Sequence, residues 1–169
     1  NIMDILINKR KKEKLFCFDI FGVLHEGGEL FNNTKESLIK YKENGYVAIL
    51  TNATSLHYEV EESLFKKGLR QGIHYDKIFS SGDSFIDFLK DNNNKDKKLK
   101  IFTEQNKKSG LYEAMCRYCI LEDNIKNADH YYISLDCSNP DYNEGKYNID
   151  YLLNKYNVNN LYELIQINL

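Results

Sequence analysis

Short apolar runs alternate along this chain with segments of helical spacing. Leu15–Phe18, Tyr46–Leu50, Lys77–Phe79, Leu99–Phe102 and Tyr131–Ile133 read as strands. Between them, Thr34–Asn44, Leu56–Lys67, a short stretch ending near Leu89 and Ser109–Arg117 read as helices. Asn33 is placed to cap the first of these, with Glu36 three residues on, and Gly45 suits its C-terminal turn. Gly68 closes the second in the same way. Strand and helix in alternation predict an α/β fold with a parallel sheet. Two further helices are expected near Ile149–Tyr156 and Asn159–Ile167, after a Pro- and Gly-bearing loop at Asp136–Lys146.

The pattern breaks once. Asp91 to Lys98 holds no apolar residue and reads as a linker. The expected organisation is a core at 1–92, a linker at 93–98 and a second α/β segment at 99–169. The 169 residues are 42% hydrophobic, enough for one domain plus part of another. A net charge of −2 argues against a nucleic-acid or membrane surface. The basic run Lys9–Lys14 reads as the solvated end of a first helix. No apolar stretch approaches the ~20 residues of a membrane span, and Asn1–Ile7 lacks the pattern of a secretory signal. The first residue is Asn, so the expected start lies upstream or was processed. Four cysteines without scaffold density suit a reducing cytoplasm, with Cys17 expected in the core.

Candidate chemistry sits at the strand ends. Asp19 follows the first strand directly, with Gly22 in the turn behind it. Thr51 and Asn52 follow the second strand; Ser80, Ser81 and Asp83 follow the third. In a parallel sheet the carboxyl ends of adjacent strands share one edge, where such folds bind ligands. A carboxylate there can act as a nucleophile or hold a cation, and beside it a hydroxyl and an amide can hold phosphate oxygens. Other groups read as structural: Cys116 and Cys119 as core residues, Asp76, Asp83 and Asp87 as caps, Asp129 as a loop residue, the tyrosines from Tyr142 to Tyr162 as packing.

Phe-Asp-Ile-Phe-Gly-Val-Leu-His at 18–25, Ile-Leu-Thr-Asn-Ala at 49–53 and Phe-Ser-Ser-Gly-Asp at 79–83 resemble the haloacid dehalogenase superfamily, nearest its class IIA. The resemblance covers roughly residues 14–135, with the stretch from 99 similar to the first half of the class IIA cap. It implies a Rossmann-like core with a partial α/β cap, and hydrolysis of a small phosphorylated metabolite through an aspartyl-phosphate. Asp19 would be the nucleophile. Mg²⁺ would sit on the Asp19 carboxylate and the Phe21 backbone carbonyl. Thr51 and Asn52 would hold the phosphate, and the turn Ile20–Leu30 would be the hinge.

The chain departs from that family at two places. Active members carry an acid/base aspartate two residues after the nucleophile; here the position is Phe21, with His25 the nearest titratable alternative. A later lysine and an acidic pair have no clear counterpart, although Gly145-Lys146 and Ser138-Asn139-Pro140-Asp141 echo later motifs. The expectation is that the chain stops inside the cap, so that β-strand one lies on a sheet edge and a second chain or a missing C-terminal half completes the core. An impaired phosphatase, a non-catalytic phospho-ligand-binding remnant and a receiver-like phosphate acceptor are the function classes this leaves open.

Overall fold

The structure is a computed structural model describing residues 14–93, 98–132 and 153–160. These fall into two compact units, one running up to Ser84 and the other starting at Phe85.

The first unit is built on three parallel strands, β1 (Leu15–Phe18), β2 (Tyr46–Thr51) and β3 (Lys77–Ser80), in the order β1-β2-β3. Phe18 pairs with Ile49 and Thr51 with Ser80. Helix α1 (Thr34–Asn44) connects β1 to β2, and α2 (His57–Lys66) connects β2 to β3. The central strand carries Val47, Ala48 and Ile49 as a continuous buried run, as a strand covered on both faces requires. Leu38 of α1, and Val60 with Leu64 one turn apart on α2, pack onto it with Leu24, Leu69, Tyr75 and Ile78. Asp76 ties the start of β3 to β2: one carboxylate oxygen accepts the Val47 N–H at 2.8 Å and the other the Lys42 ammonium at 2.5 Å.

β1 has one neighbour only among the described residues, and its burial follows from that. Phe16 and Phe18 turn toward the core, with ring centroids 4.8 and 5.0 Å from that of Tyr41. Leu15 and Cys17 point the other way and are exposed. This corrects the core placement of Cys17: an alternating edge strand buries one face, and the cysteine stands on the other.

Asn33 sits at the N-cap of α1 but in the left-handed region, φ 62°, and its side chain makes no capping bond. The cap expected of it is therefore absent; αL geometry, which Asn tolerates, turns the chain into the helix instead. At α2 the Glu59 carboxylate accepts the Leu56 N–H at 2.8 Å, and Gly68, φ 88°, reverses the chain beyond the helix.

Helix α3 (Ser81–Asn93) begins in the first unit and continues into the second, past Leu89 where the apolar spacing ends. The second unit has its own parallel sheet, β4 (Lys100–Thr103), β5 (Ile120–Leu121) and β6 (His130–Tyr132), in the order β5-β4-β6. Helix α4 (Gly110–Tyr118) is capped by Ser109, whose hydroxyl accepts the Tyr112 N–H at 3.1 Å. Leu111, Met115 and Cys119 form its buried face. Burial, with Cys116 nearby, pushes the Cys119 thiol up to about 11, and it donates to the Met115 carbonyl; Cys116 itself is exposed. The expected basic first helix, the Ser138–Asp141 turn, Gly145-Lys146 and most of the two C-terminal helices lie outside the described residues; 153–155 are helical. Among the described residues no helix is long and apolar enough to cross a membrane.

Candidate functional site

Asp19 is the first residue beyond β1, and the pairing of Phe18 with Ile49 sets it level with Leu50 of β2. Its side chain is exposed and its Oδ1 accepts the Ile20 N–H at 2.8 Å. Behind it the chain folds into a compact loop. The Ile20 carbonyl accepts from Val23 at 3.3 Å and Leu24 at 2.8 Å, Gly22 adopts φ 78°, and its N–H donates to the His25 carbonyl at 2.8 Å. Phe31 N–H closes the loop on the Leu24 carbonyl at 2.9 Å.

His25 lies inside this loop rather than on the surface. Its Nδ1 accepts the Gly27 N–H at 2.8 Å, which fixes the neutral tautomer with the proton on Nε2. Burial, and then the charge of Lys67, hold its pKa below the ordinary value. Lys67, just beyond α2, donates to the carbonyls of Gly27 (3.2 Å) and Gly28, so the hinge expected at Ile20–Leu30 is tied to a helix end. Sequence reasoning did not find this tie, because a lysine forty residues away carries no local signal.

The loop after β2 is held from the other side. Thr51 Oγ1 accepts the Ala53 N–H at 3.1 Å, and Ser81 Oγ lies 2.9 Å from both the Asn52 and Ala53 carbonyls. Gly82 is required here: a Cβ would sit 2.2 Å from the Thr54 carbonyl oxygen. Asp83 gathers three donors. Its Oδ2 accepts from Ser80 Oγ at 2.8 Å and from the His57 N–H at 2.9 Å, while Oδ1 lies 2.8 Å from His57 Nδ1. The carboxylate of Asp83 thus caps the start of α2, while at the start of its own helix the Ser80 hydroxyl accepts the Asp83 N–H at 3.1 Å. His57 was not singled out in the sequence; its place at a helix start after a Thr-Asn turn was the available signal.

Asp19, Thr51 and Ser80 therefore end three adjacent parallel strands on one edge, as the sequence spacing anticipated. Phe21 is 69% exposed in the loop beside Asp19. None of the backbone hydrogen bonds of that loop ends on the Phe21 carbonyl. A free carboxylate oxygen and a carbonyl oxygen two residues apart are the hard donors that suit Mg²⁺, with phosphate and water completing its shell. No group of three or more His, Cys, Asp or Glu side chains placed to hold a metal occurs among the described residues. In the second unit a separate cleft of about 170 Å³ opens beside Thr103, Glu104, Lys107, Tyr112 and Asp123. There Glu104 is engaged by Lys155 at 2.8 Å and by the Tyr156 hydroxyl at 2.5 Å.

The profile of the haloacid dehalogenase-like hydrolases matches residues 16–115. Among solved structures, a haloacid dehalogenase-like hydrolase from Brucella suis 1330 is similar, with a TM-score of 0.56 and 20% identity. The likeness covers 91% of this chain and 54% of that one, so the chain spans about half the length of the structure it matches. At that identity the likeness speaks for the fold. No curated protein matches the sequence.

Proposed function

Since the chain belongs to the haloacid dehalogenase-like hydrolases, we propose that it transfers the phosphoryl group of a small phosphorylated metabolite to Asp19 and then to water. The observation that carries this is the position of Asp19 just beyond β1, level with Leu50 and one residue short of Thr51 at the end of β2. Phosphoryl transfer needs little more from a protein than an aligned nucleophile and charge stabilisation. Asp19 attacks phosphorus. Thr51, through its hydroxyl, and the Asn52 backbone N–H hold the equatorial oxygens. The Asp83 network and Gly82 keep that loop at its distance from β1. Mg²⁺ fits the Asp19 carboxylate and the Phe21 carbonyl, where it would offset the charge of the incoming phosphate.

Replacing Asp19 with Asn tests this reading. It keeps the size and the bond from Ile20 N–H but removes the nucleophile, so Mg²⁺-dependent release of phosphate falls by several orders of magnitude. A residual rate equal to wild type would exclude the role. The exposed phenyl group of Phe21 favours a second reading, a phospho-ligand-binding protein without turnover. It predicts that inorganic phosphate binds wild type and Asp19→Asn alike while neither hydrolyses any ester. Localisation in a reducing cytoplasm, and completion of the core by a second chain or further C-terminal polypeptide, belong to the same proposal. The single-neighbour edge of β1 and the half-length match support the latter.

A further inference from the structure

The second unit has a strand edge of its own. Its sheet, in the order β5-β4-β6, is parallel throughout. Helix α4 leads the chain from β4 to one flank, and the turn at Ile125–Asn127 returns it across β4 to the other. Open parallel sheets take ligands in the crevice outside the carboxyl ends of their strands, at the point where the connections part in this way. The cleft of about 170 Å³ lies at that place: Phe102 and Thr103 end β4, Leu121 ends β5, and Glu122 with Asp123 follows at once.

Its walls differ in chemistry. Phe102 is buried, and Leu121 and Tyr112 are half-buried, so the inner wall is carbon surface. Lys107 and Asp123 are exposed at the mouth, with Nζ and Oδ1 3.9 Å apart, a spacing too long for a hydrogen bond between them. Thr103 Oγ1 accepts the Gln105 N–H at 3.0 Å, which keeps the hydroxyl proton for another acceptor. Glu104, engaged by Lys155 and the Tyr156 hydroxyl, belongs to the frame. Donors therefore stand on the β4 side, at Lys107 and Thr103, and acceptors on the β5 side, at Glu122 and Asp123.

We propose that this cleft is a binding site for a small zwitterion, a free α-amino acid with an aliphatic side chain. Its carboxylate meets the Lys107 ammonium and the Thr103 hydroxyl, and its ammonium, with three N–H donors, meets Asp123 and Glu122. The two ligand charges are joined through one carbon atom, which suits donors and acceptors set this close together; a ligand with a single charge satisfies one side and leaves the other facing carbon. The side chain covers Phe102, Leu121 and Tyr112. The space is comparable with the ~150 Å³ cavity that accommodates benzene, enough for a side chain of leucine's size. The site lies within the second unit and is independent of the reading of Asp19.

Calorimetric titration of the full chain with L-leucine, isoamylamine and isocaproate reads the two charges separately. L-Leucine binds saturably; the amine and the acid, each lacking one charge, bind at least ~3-fold more weakly. Lys107→Gln weakens L-leucine and isocaproate and leaves isoamylamine unchanged. Asp123→Asn weakens L-leucine and isoamylamine and leaves isocaproate unchanged. Both positions are exposed, and a thermal midpoint equal to wild type checks that each variant folds. Amide resonances of residues 102–107 and 121–123 shift on adding L-leucine. Lack of saturable L-leucine binding, equal binding of the three compounds, binding that neither variant alters, or shifts confined to other parts of the chain would each overturn the inference.

Discussion

Lys67 holds the loop behind Asp19 from the end of another helix. Its two bonds to the Gly27 and Gly28 carbonyls are charge-assisted but half-exposed, worth about 1 kcal/mol together at most. Lys67→Met keeps the stem and removes the donor. We expect faster proteolysis and amide exchange within residues 20–31 and a lower kcat, with global stability changed by less than ~1 kcal/mol; unchanged exchange in that loop would dismiss the tie. His25 and His74 share a second property. Burial lowers the pKa of both; at His74 the charges of Lys35 and Arg70 assist, opposed by a hydrogen bond with the Arg70 backbone and by the charge of Glu36. A depressed histidine pKa means that the unfolded chain binds the proton first as pH falls. Stability is then full above the ordinary value of 6.5 and declines below it. Urea midpoints at about pH 7.5 and about pH 5.5 should differ in that sense, and His74→Gln should shrink the difference. Neither histidine's burial was legible in the sequence, because loop residues pack according to turns that close through distant backbone atoms.

At the scale of elements, α1 and β1 were legible to the residue and most other boundaries to within one, but α3 runs four residues past the expected Leu89 because its last turn is polar and carries no apolar period. β5 was not found: two residues carry no period, and Ile120 and Leu121 pair only because α4 returns the chain beside β4. The grouping of Asp19, Thr51 and Ser80 on one edge followed from strand order alone. What fixes the loop between Thr51 and Leu56 did not, because the approach of Gly82 to the Thr54 carbonyl is a contact between elements. Gly82→Ala must move that loop or the start of α3. The expected cost is about 1–3 kcal/mol, with phosphate affinity reduced beyond what the stability loss explains. A variant as stable and as tight as wild type would mean that the loop gives way freely.

For the molecule as a whole, β1 has one neighbouring strand among the described residues, and its other side is where self-association is expected. Leu15 is 62% exposed on a strand that has one neighbour among the described residues, the arrangement that recruits another strand. Leu15→Lys is expected to leave folding stability within ~0.5 kcal/mol and to reduce concentration-dependent light scattering; equal scattering would place self-association elsewhere. The strand order has a further consequence for synthesis. Each strand of the first sheet pairs with its neighbour in sequence, through crossovers of similar length. A growing polypeptide can therefore lay β2 against a waiting β1, and β3 against β2, without pausing for anything downstream, since each closure adds a modest entropic cost. Among the described residues one flank of β1 takes no partner at any stage of that assembly, so a nascent chain carries this edge outward from its first crossover onward.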